Sequence, residues 1–377
     1  MIEKIISKFN IAGTLIDVRE NNSGNINNTY VATFKMDNGE IKKYLIQKIN
    51  TTVFTEPYKL MKNIEGVTSY LKRQLAKEND QRHQVLEIVK TKDNKSLCFL
   101  DVNGERDYYR IYEYIENAVT YDCSVEPEIV YHTGEAFGNF TKLLKNYPIN
   151  KLSETIKDFH STDKRYKKLI EDIKIDPFGR AMEVAPEIVF ILMREDICSL
   201  ITDELGTEEV PYRVTHNDTK VNNVMMNKDT GDFMAVIDLD TVMPGSLLFD
   251  YGDGVRSTAS TAKEDETDLD KVGLNLELFE AYTKGYLSQM ASDMTYGELA
   301  LMGESIRVIT LELAIRFLND YINGDTYFKI SYEKHNLDRA RNQIALVKDI
   351  ENKLDYINSF INDNCKEYKS KSRVLKK

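Results

Sequence analysis

His216-Asn-Asp-Thr-Lys-Val-Asn-Asn223 and, after a short interval, Val236-Ile-Asp-Leu-Asp-Thr241 are the stretches on which the reading of this chain turns. Between them VNNVMM and FMAVIDL flank Lys228-Asp229-Thr230-Gly231-Asp232, the chemistry of a hairpin turn. Asp218 and Asn223 stand in a polar loop that feeds the first strand, and Asp238 follows the returning one. If the hairpin closes, two oxygen ligands and a separate carboxylate become available together. Metal-assisted phosphoryl transfer needs such a set. Mg2+ takes hard oxygen donors supplemented by phosphate oxygens and water, here a carboxylate from Asp238 and a neutral oxygen from Asn223. Asp218 would then orient and deprotonate an acceptor hydroxyl. The same side chains can also simply cap their own turns.

Downstream, Asp250-Tyr-Gly-Asp253-Gly-Val-Arg256 adds two carboxylates and an arginine. That many acidic groups in one local core call for a cation or polar ligand to compensate them. Upstream, residues 26 to 49 are rich in Tyr, Val, Thr, Phe and Ile and break at Asp37-Asn38-Gly39, which predicts a hairpin. Strands are expected at 85 to 89, 96 to 100 and 108 to 115, with a helix at 57 to 78. From residue 126 the pattern turns helical, at 126 to 146, 153 to 169, 181 to 204, 275 to 292, 296 to 322 and 335 to 362. The fold class is therefore α+β: a small antiparallel sheet, then a larger, mainly helical part with an embedded hairpin. The expected divisions are 1–116 for nucleotide, 117–365 for catalysis and substrate, and a basic, frayed tail at 366–377.

Among 377 residues the net charge is −11, which argues against a nucleic-acid backbone as main partner. Four scattered cysteines without a C-x-x-C pair disfavour disulfides and structural zinc. A reducing, cytoplasmic setting is expected, with no membrane span, no secretory signal and no obligate protein partner.

Asn22 to Thr29, containing Ser23, Gly24, Asn25 and Asn28, is a small polar turn whose donors can cover phosphates, or an ordinary hairpin turn. Lys48 ends the next strand and can reach phosphates or face water, with Glu65 a possible ion-pair partner. Strand alternation puts Arg110, Tyr112 and Tyr114 on one side. The junction from Glu113 to Ile115 is the candidate purine hinge. His216, beside a candidate base, can relay a proton or pack beneath the loop and bond to backbone, and His160 is expected to be structural or peripheral to the substrate site.

HNDTKVNN followed by VIDLDT resembles the Brenner-type motif of the aminoglycoside phosphotransferase and choline kinase superfamily, whose fold is similar to protein kinases. NINNTYVATF, YLIQKINTTVF, PYRVTHNDTKVNNV, VIDLDTVMPGSLLFDYGDGVR, KEDETDLD, IRFLNDYINGDTYF and HNLDRARNQ resemble the N-acetylhexosamine 1-kinase family, over about Asn22 to Gln343. The resemblance implies a two-lobed kinase-like fold using ATP and Mg2+ to phosphorylate GlcNAc or GalNAc at the anomeric hydroxyl. It implies Asp218 as catalytic base and Asn223 and Asp238 as metal ligands. Ser23 to Asn28 would cover the phosphates, and Lys48 or Gln47 would fill the nucleotide-lysine region. The superfamily usually has an aliphatic-Lys pair there, so the phosphate contact departs from its pattern. Sugar contacts are expected among Arg110, Asp253, Arg256, Arg316 and Asp320. A related kinase for another sugar, an amino alcohol or an aminoglycoside is the alternative enzyme. A nucleotide- or sugar-binding protein without catalysis is the other reading.

Overall fold

The computed structural model describes residues 2–21, 26–122 and 126–375, with side chains to residue 369. In chain order its first elements are α1 (Ile2–Ile6), β1 (Thr14–Asn21), β2 (Asn28–Lys35), β3 (Ile41–Ile49) and α2 (Pro57–Glu78). Next come β4 (Cys98–Val102), β5 (Glu105–Glu113), β6 (Ala118–Val119), α3 (Pro127–Leu143), α4 (Thr162–Ile175), α5 (Ala185–Leu192) and α6 (Glu195–Cys198). Then follow β7 (Arg213–Thr215), β8 (Val224–Asn227), β9 (Phe233–Val236), β10 (Met243–Gly245), α7 (Leu247–Thr258), α8 (Leu276–Met290), α9 (Tyr296–Ile322) and α10 (His335–Leu375). The class is α+β, with an antiparallel sheet toward the N-terminus and helices toward the C-terminus.

The chain groups into two units. The first comprises Met1–Val119, Asn146–Lys157 and Met225–Met243. Its five-stranded sheet runs β1-β2-β3-β5-β4, antiparallel at each pairing. Alternation sorts the strands cleanly. Ala32, Phe34, Tyr44, Ile46, Tyr109 and Ile111 share a core with Ile5, Ile6 and Phe9. Ile46 and Ile111 are fully buried, and burying such a side chain is worth roughly 1.5–3 kcal/mol. The register Thr29–Gln47–Arg110 puts a polar row on the opposite face. Pro57 opens α2, where its missing N–H costs nothing, and left-handed Asn79 (φ 52°) closes it. The β8–β9 hairpin groups largely with this unit, because β8 pairs with β6 through Ala118–Asn227 and Val119–Met226.

The second unit comprises Thr120–Lys145, Asp158–Val224 and Pro244–Lys377. Glycines let α3 and α8 cross closely. A Cβ at Gly285 would lie 2.0 Å from the Tyr131 carbonyl oxygen, and one at Gly134 would lie 2.2 Å from that of Tyr282. A capping box of Thr295 and Glu298 opens α9. Most of α7 is buried, including Asp250, Asp253 and Arg256.

Several expectations are corrected. Residues 85 to 89 form no strand; their amides go singly, as when Val89 donates to Ile111 O, and Ile88 makes one bridge to Tyr112. Helix is absent from 153 to 161, where the Asn63 side chain takes up both main-chain groups of Ser153. The segment 181 to 204 is broken into α5 and α6. Helix α10 runs from His335 to Leu375. Among the described residues, no helix is long and apolar enough to cross a membrane. Cys98, Cys198 and Cys365 are free thiols.

Candidate active site

The loop between β7 and β8 is built around a buried carboxylate. Asp250, on α7, accepts the amides of His216 and Asn217, each at 2.7 Å. Its carbonyl accepts the Thr219 hydroxyl at 2.6 Å. These bonds hold Asn217 in the left-handed region (φ 64°), where Asn is among the few residues at ease. Burial pushes the Asp250 carboxyl up to about 7, against the two amides that favour its ionised form. His216 is fully buried between Phe137 and Phe140. Its Nδ1 accepts the Asp218 amide at 3.2 Å, the packing role open to it. His160 bonds Glu312 at 2.9 Å and stacks on Phe249.

Fixed in this way, Asp218 turns its two oxygens to different partners. Oδ1 lies 2.7 Å from Lys220 Nζ, and Oδ2 accepts from Asn223 Nδ2 at 2.9 Å. Burial pushes the Asp218 carboxyl up, but Lys220, then His216 and Asn223, outweigh it and hold the group below its ordinary value. The site therefore offers an ionised carboxylate, a quarter exposed, beside an ammonium. Asn223 spends Nδ2 on the Asp218 carboxylate and on its carbonyl. Its Oδ1 is left as the side-chain atom for another partner.

Asp238 belongs to the first unit. It is exposed, left-handed (φ 56°), and begins the short 3-10 turn Leu239–Thr241. Two residues on, Asp240 is buried and bound bidentately by Arg110: Nη1 meets Oδ1, and Nη2 meets Oδ2 at 2.8 Å. Asn27 adds a bond to Oδ2 at 2.6 Å. Gln47 accepts Arg110 Nε at 3.0 Å. Arg110, expected to touch sugar, thus has its nitrogens engaged inside the first unit.

Lys48 pairs with Asp107 at 2.7 Å, and its register partners, Asn28 and Tyr109, set it on the face opposite Gln47 and Arg110. Glu65 pairs with Lys90 rather than Lys48. Ser23, Gly24 and Asn25 lie outside the described residues, whereas Asn28 begins β2. At the expected hinge, the amides of Glu113 and Tyr114 go to Glu87 O and Lys43 O, and Ile115 is buried.

In the second unit Asp253 and Arg256 find each other, three apart on α7, with Arg256 Nε at 2.9 Å from Asp253 Oδ1. Glu264 and Gln343 take Arg256 Nη1. Asp320 organises a loop, its carboxylate accepting the amides of Thr326, Tyr327 and Phe328 and the Asn336 side chain. That loop sets Tyr327 and Phe328 about the Arg316 guanidinium, 5.9 and 5.4 Å from their ring centroids, with Phe159 at 5.7 Å.

The model of the phosphotransferase enzyme family matches residues 17–286, more than half of the chain. The chain belongs to that family. This phosphotransferase is similar in fold to a microcompartment-associated aminopropanol kinase, at 14% identity and TM-score 0.62 over 95% of this chain and 98% of that one. It is also similar to an aminoglycoside phosphotransferase from Alicyclobacillus acidocaldarius, at 11% identity and TM-score 0.60 over 94% and 96% of the two chains. An amicoumacin kinase in complex with AMP-PNP and Ca2+ matches at 16% identity and TM-score 0.58, over 91% and 92%. The family makes this chain a phosphotransferase, and the solved structures it resembles share its fold.

Sequence reading placed Asp250 and Asn27 in polar clusters without their partners, and it missed Asp240 and Lys220 as participants. The second aspartate of IDLDT was the signal for Asp240. The position of Lys220, two residues after Asp218, was the signal for the ion pair.

Proposed function

We propose that this phosphotransferase moves the γ-phosphoryl group of ATP to the anomeric 1-hydroxyl of an N-acetylhexosamine, GlcNAc or GalNAc. The observation that carries the chemistry is the Asp218 carboxylate, kept ionised by Lys220 and oriented by Asn223. The sugar oxygen attacks phosphorus, the bond from phosphorus to the ADP oxygen breaks, and the hydroxyl proton passes to Asp218 Oδ. An anomeric hydroxyl is more acidic than an ordinary alcohol, so the proton leaves late and Asp218 chiefly orients.

Asn223 and Asp238 are the residues that would hold Mg2+. Their donors suit it: a carbonyl oxygen whose amide nitrogen is already committed, and an exposed carboxylate. Bound Mg2+ supplies charge neutralisation at the phosphates. Lys220 adds a second positive charge beside the acceptor base, and Asp250 keeps the loop from shifting.

The carboxylates near α7 and α9 favour a neutral acceptor over a cationic amino alcohol or aminoglycoside. Asp253 is neutralised by Arg256, Glu312 is bound by His160 and Thr162, and Asp320 is saturated by amides. Arg316, ringed by aromatic faces, suits the hydroxyls and acetamide carbonyl of a sugar. Acceptor-dependent ADP release across GlcNAc, GalNAc, plain hexoses, choline, ethanolamine and aminoglycosides tests this. N-acetylhexosamines should lead. A cationic acceptor turning over fastest would overturn the reading.

A further inference from the structure

Arg110 and Asp240 are 1% and 4% exposed, yet both are charged and fully bonded to each other and to Asn27 and Gln47. A buried ion pair is a poor source of stability, because desolvating two charges costs several kcal/mol per ion, and apolar replacements of similar volume are often neutral or better. Its placement is more telling than its strength. Arg110 lies on β5, Gln47 on β3 and Asn27 just before β2, and Asn27 Oδ1 also accepts the Asn50 amide at 2.9 Å. Asp240 lies in the short turn that Asp238 begins. Asn63 of α2 holds the far end of that turn through the Val242 carbonyl at 3.0 Å.

The turn is therefore fastened at two points, to the sheet through Asp240 and to α2 through Val242. Asp238 stands at its start in the left-handed region (φ 56°), which an aspartate adopts more readily than most residues. The charge of Arg110 acts on Asp238 as well as on Asp240. Gln47 stands on the same face of its strand as Arg110, and Lys48 turns to the other.

We infer that Arg110 is a positioning residue: its bidentate grip on Asp240, completed by Asn27 and Gln47, fixes the turn that presents the Asp238 carboxylate to the metal–nucleotide. This rests on the phosphotransfer reading only through the role of Asp238. Residues that orient a metal ligand typically change metal affinity by about 10–100-fold when removed.

The test is Mn2+ binding in the presence of ADP, read from the free-Mn2+ electron paramagnetic resonance signal, alongside melting without ligand. The double variant Arg110→Met/Asp240→Leu should melt near the wild-type temperature, since apolar partners replace the pair. Its Mn2+ dissociation constant should nevertheless rise about 10-fold or more. Arg110→Lys, which keeps the charge but loses the fork, should give a smaller rise of the same sign. Wild-type Mn2+ binding in a folded double variant would reduce the pair to packing and overturn the inference. Should the double variant not fold, Arg110→Lys decides, with unchanged binding counting against the inference. These binding readouts need no acceptor, so failure of the sugar assignment leaves them interpretable.

Discussion

Removing the ammonium beside Asp218 is the most informative single change in the site. In Lys220→Met the 2.7 Å ion pair is lost, while burial still pushes the Asp218 carboxyl up against only His216 and Asn223. Two unit charges about 4 Å apart are worth about 1 kcal/mol in water and more where solvent is excluded. Lys220 is 47% exposed and Asp218 26%, so the lower end of that range applies. The acid limb of kcat/KM for the acceptor should therefore move upward, and Lys220→Arg should restore most of it. The assay is a pH–rate profile at low ionic strength with acceptor below saturation. A Lys220→Met profile with its acid limb on the wild-type curve, whatever its plateau, would refute the claim that Lys220 sets the protonation of Asp218.

Other expectations are independent of that one. Asp250 has its folded pKa raised to about 7, well above an ordinary carboxylate, so the folded state keeps a proton that the unfolded chain has lost. Its contribution to stability is fully present below about pH 4 and fades as pH rises through about 7, at up to about 1.4 kcal/mol per pH unit. Urea unfolding should show wild type losing stability relative to Asp250→Asn from pH 5 to pH 8, and parallel curves would contradict this. Gly285→Val drives a side chain into the Tyr131 carbonyl 2.0 Å from the new Cβ and should cost at least about 1–3 kcal/mol by denaturant titration. A neutral result would mean that α3 and α8 separate freely. Asp320→Ala removes the acceptor for three amides of the Thr326–Phe328 loop. It should raise the sugar KM several-fold while nucleotide affinity holds, and equal losses in both would argue against a sugar-side role.

The sequence was most legible where signals are local. Pro57 marked the start of α2, and the periodic run from 296 to 322 coincides with α9. Asp218 and Asn223 were recognisable by spacing, and they do hydrogen-bond. What stayed hidden was partnership across long separations. Alternation shows that Arg110 and Lys48 take opposite faces only once the register is known, and nothing local names Asp240, 130 positions away, as the partner of Arg110. Strand β1 was missed because Thr14–Asn21 is mostly polar with an exposed edge pattern. Whether Arg316 or Asp253 meets sugar is equally non-local, since Asp253 and Arg256 three apart on a helix satisfy each other first.

Phosphorus–carbon coupling in the product made from ATP and GlcNAc labelled at C1 probes the central claim most directly. A phosphate coupled to C1, formed by wild type and lost by at least about 100-fold in Asp218→Asn with ATP binding intact, is the expected result. Phosphate on any other carbon, or undiminished formation by Asp218→Asn, would contradict it.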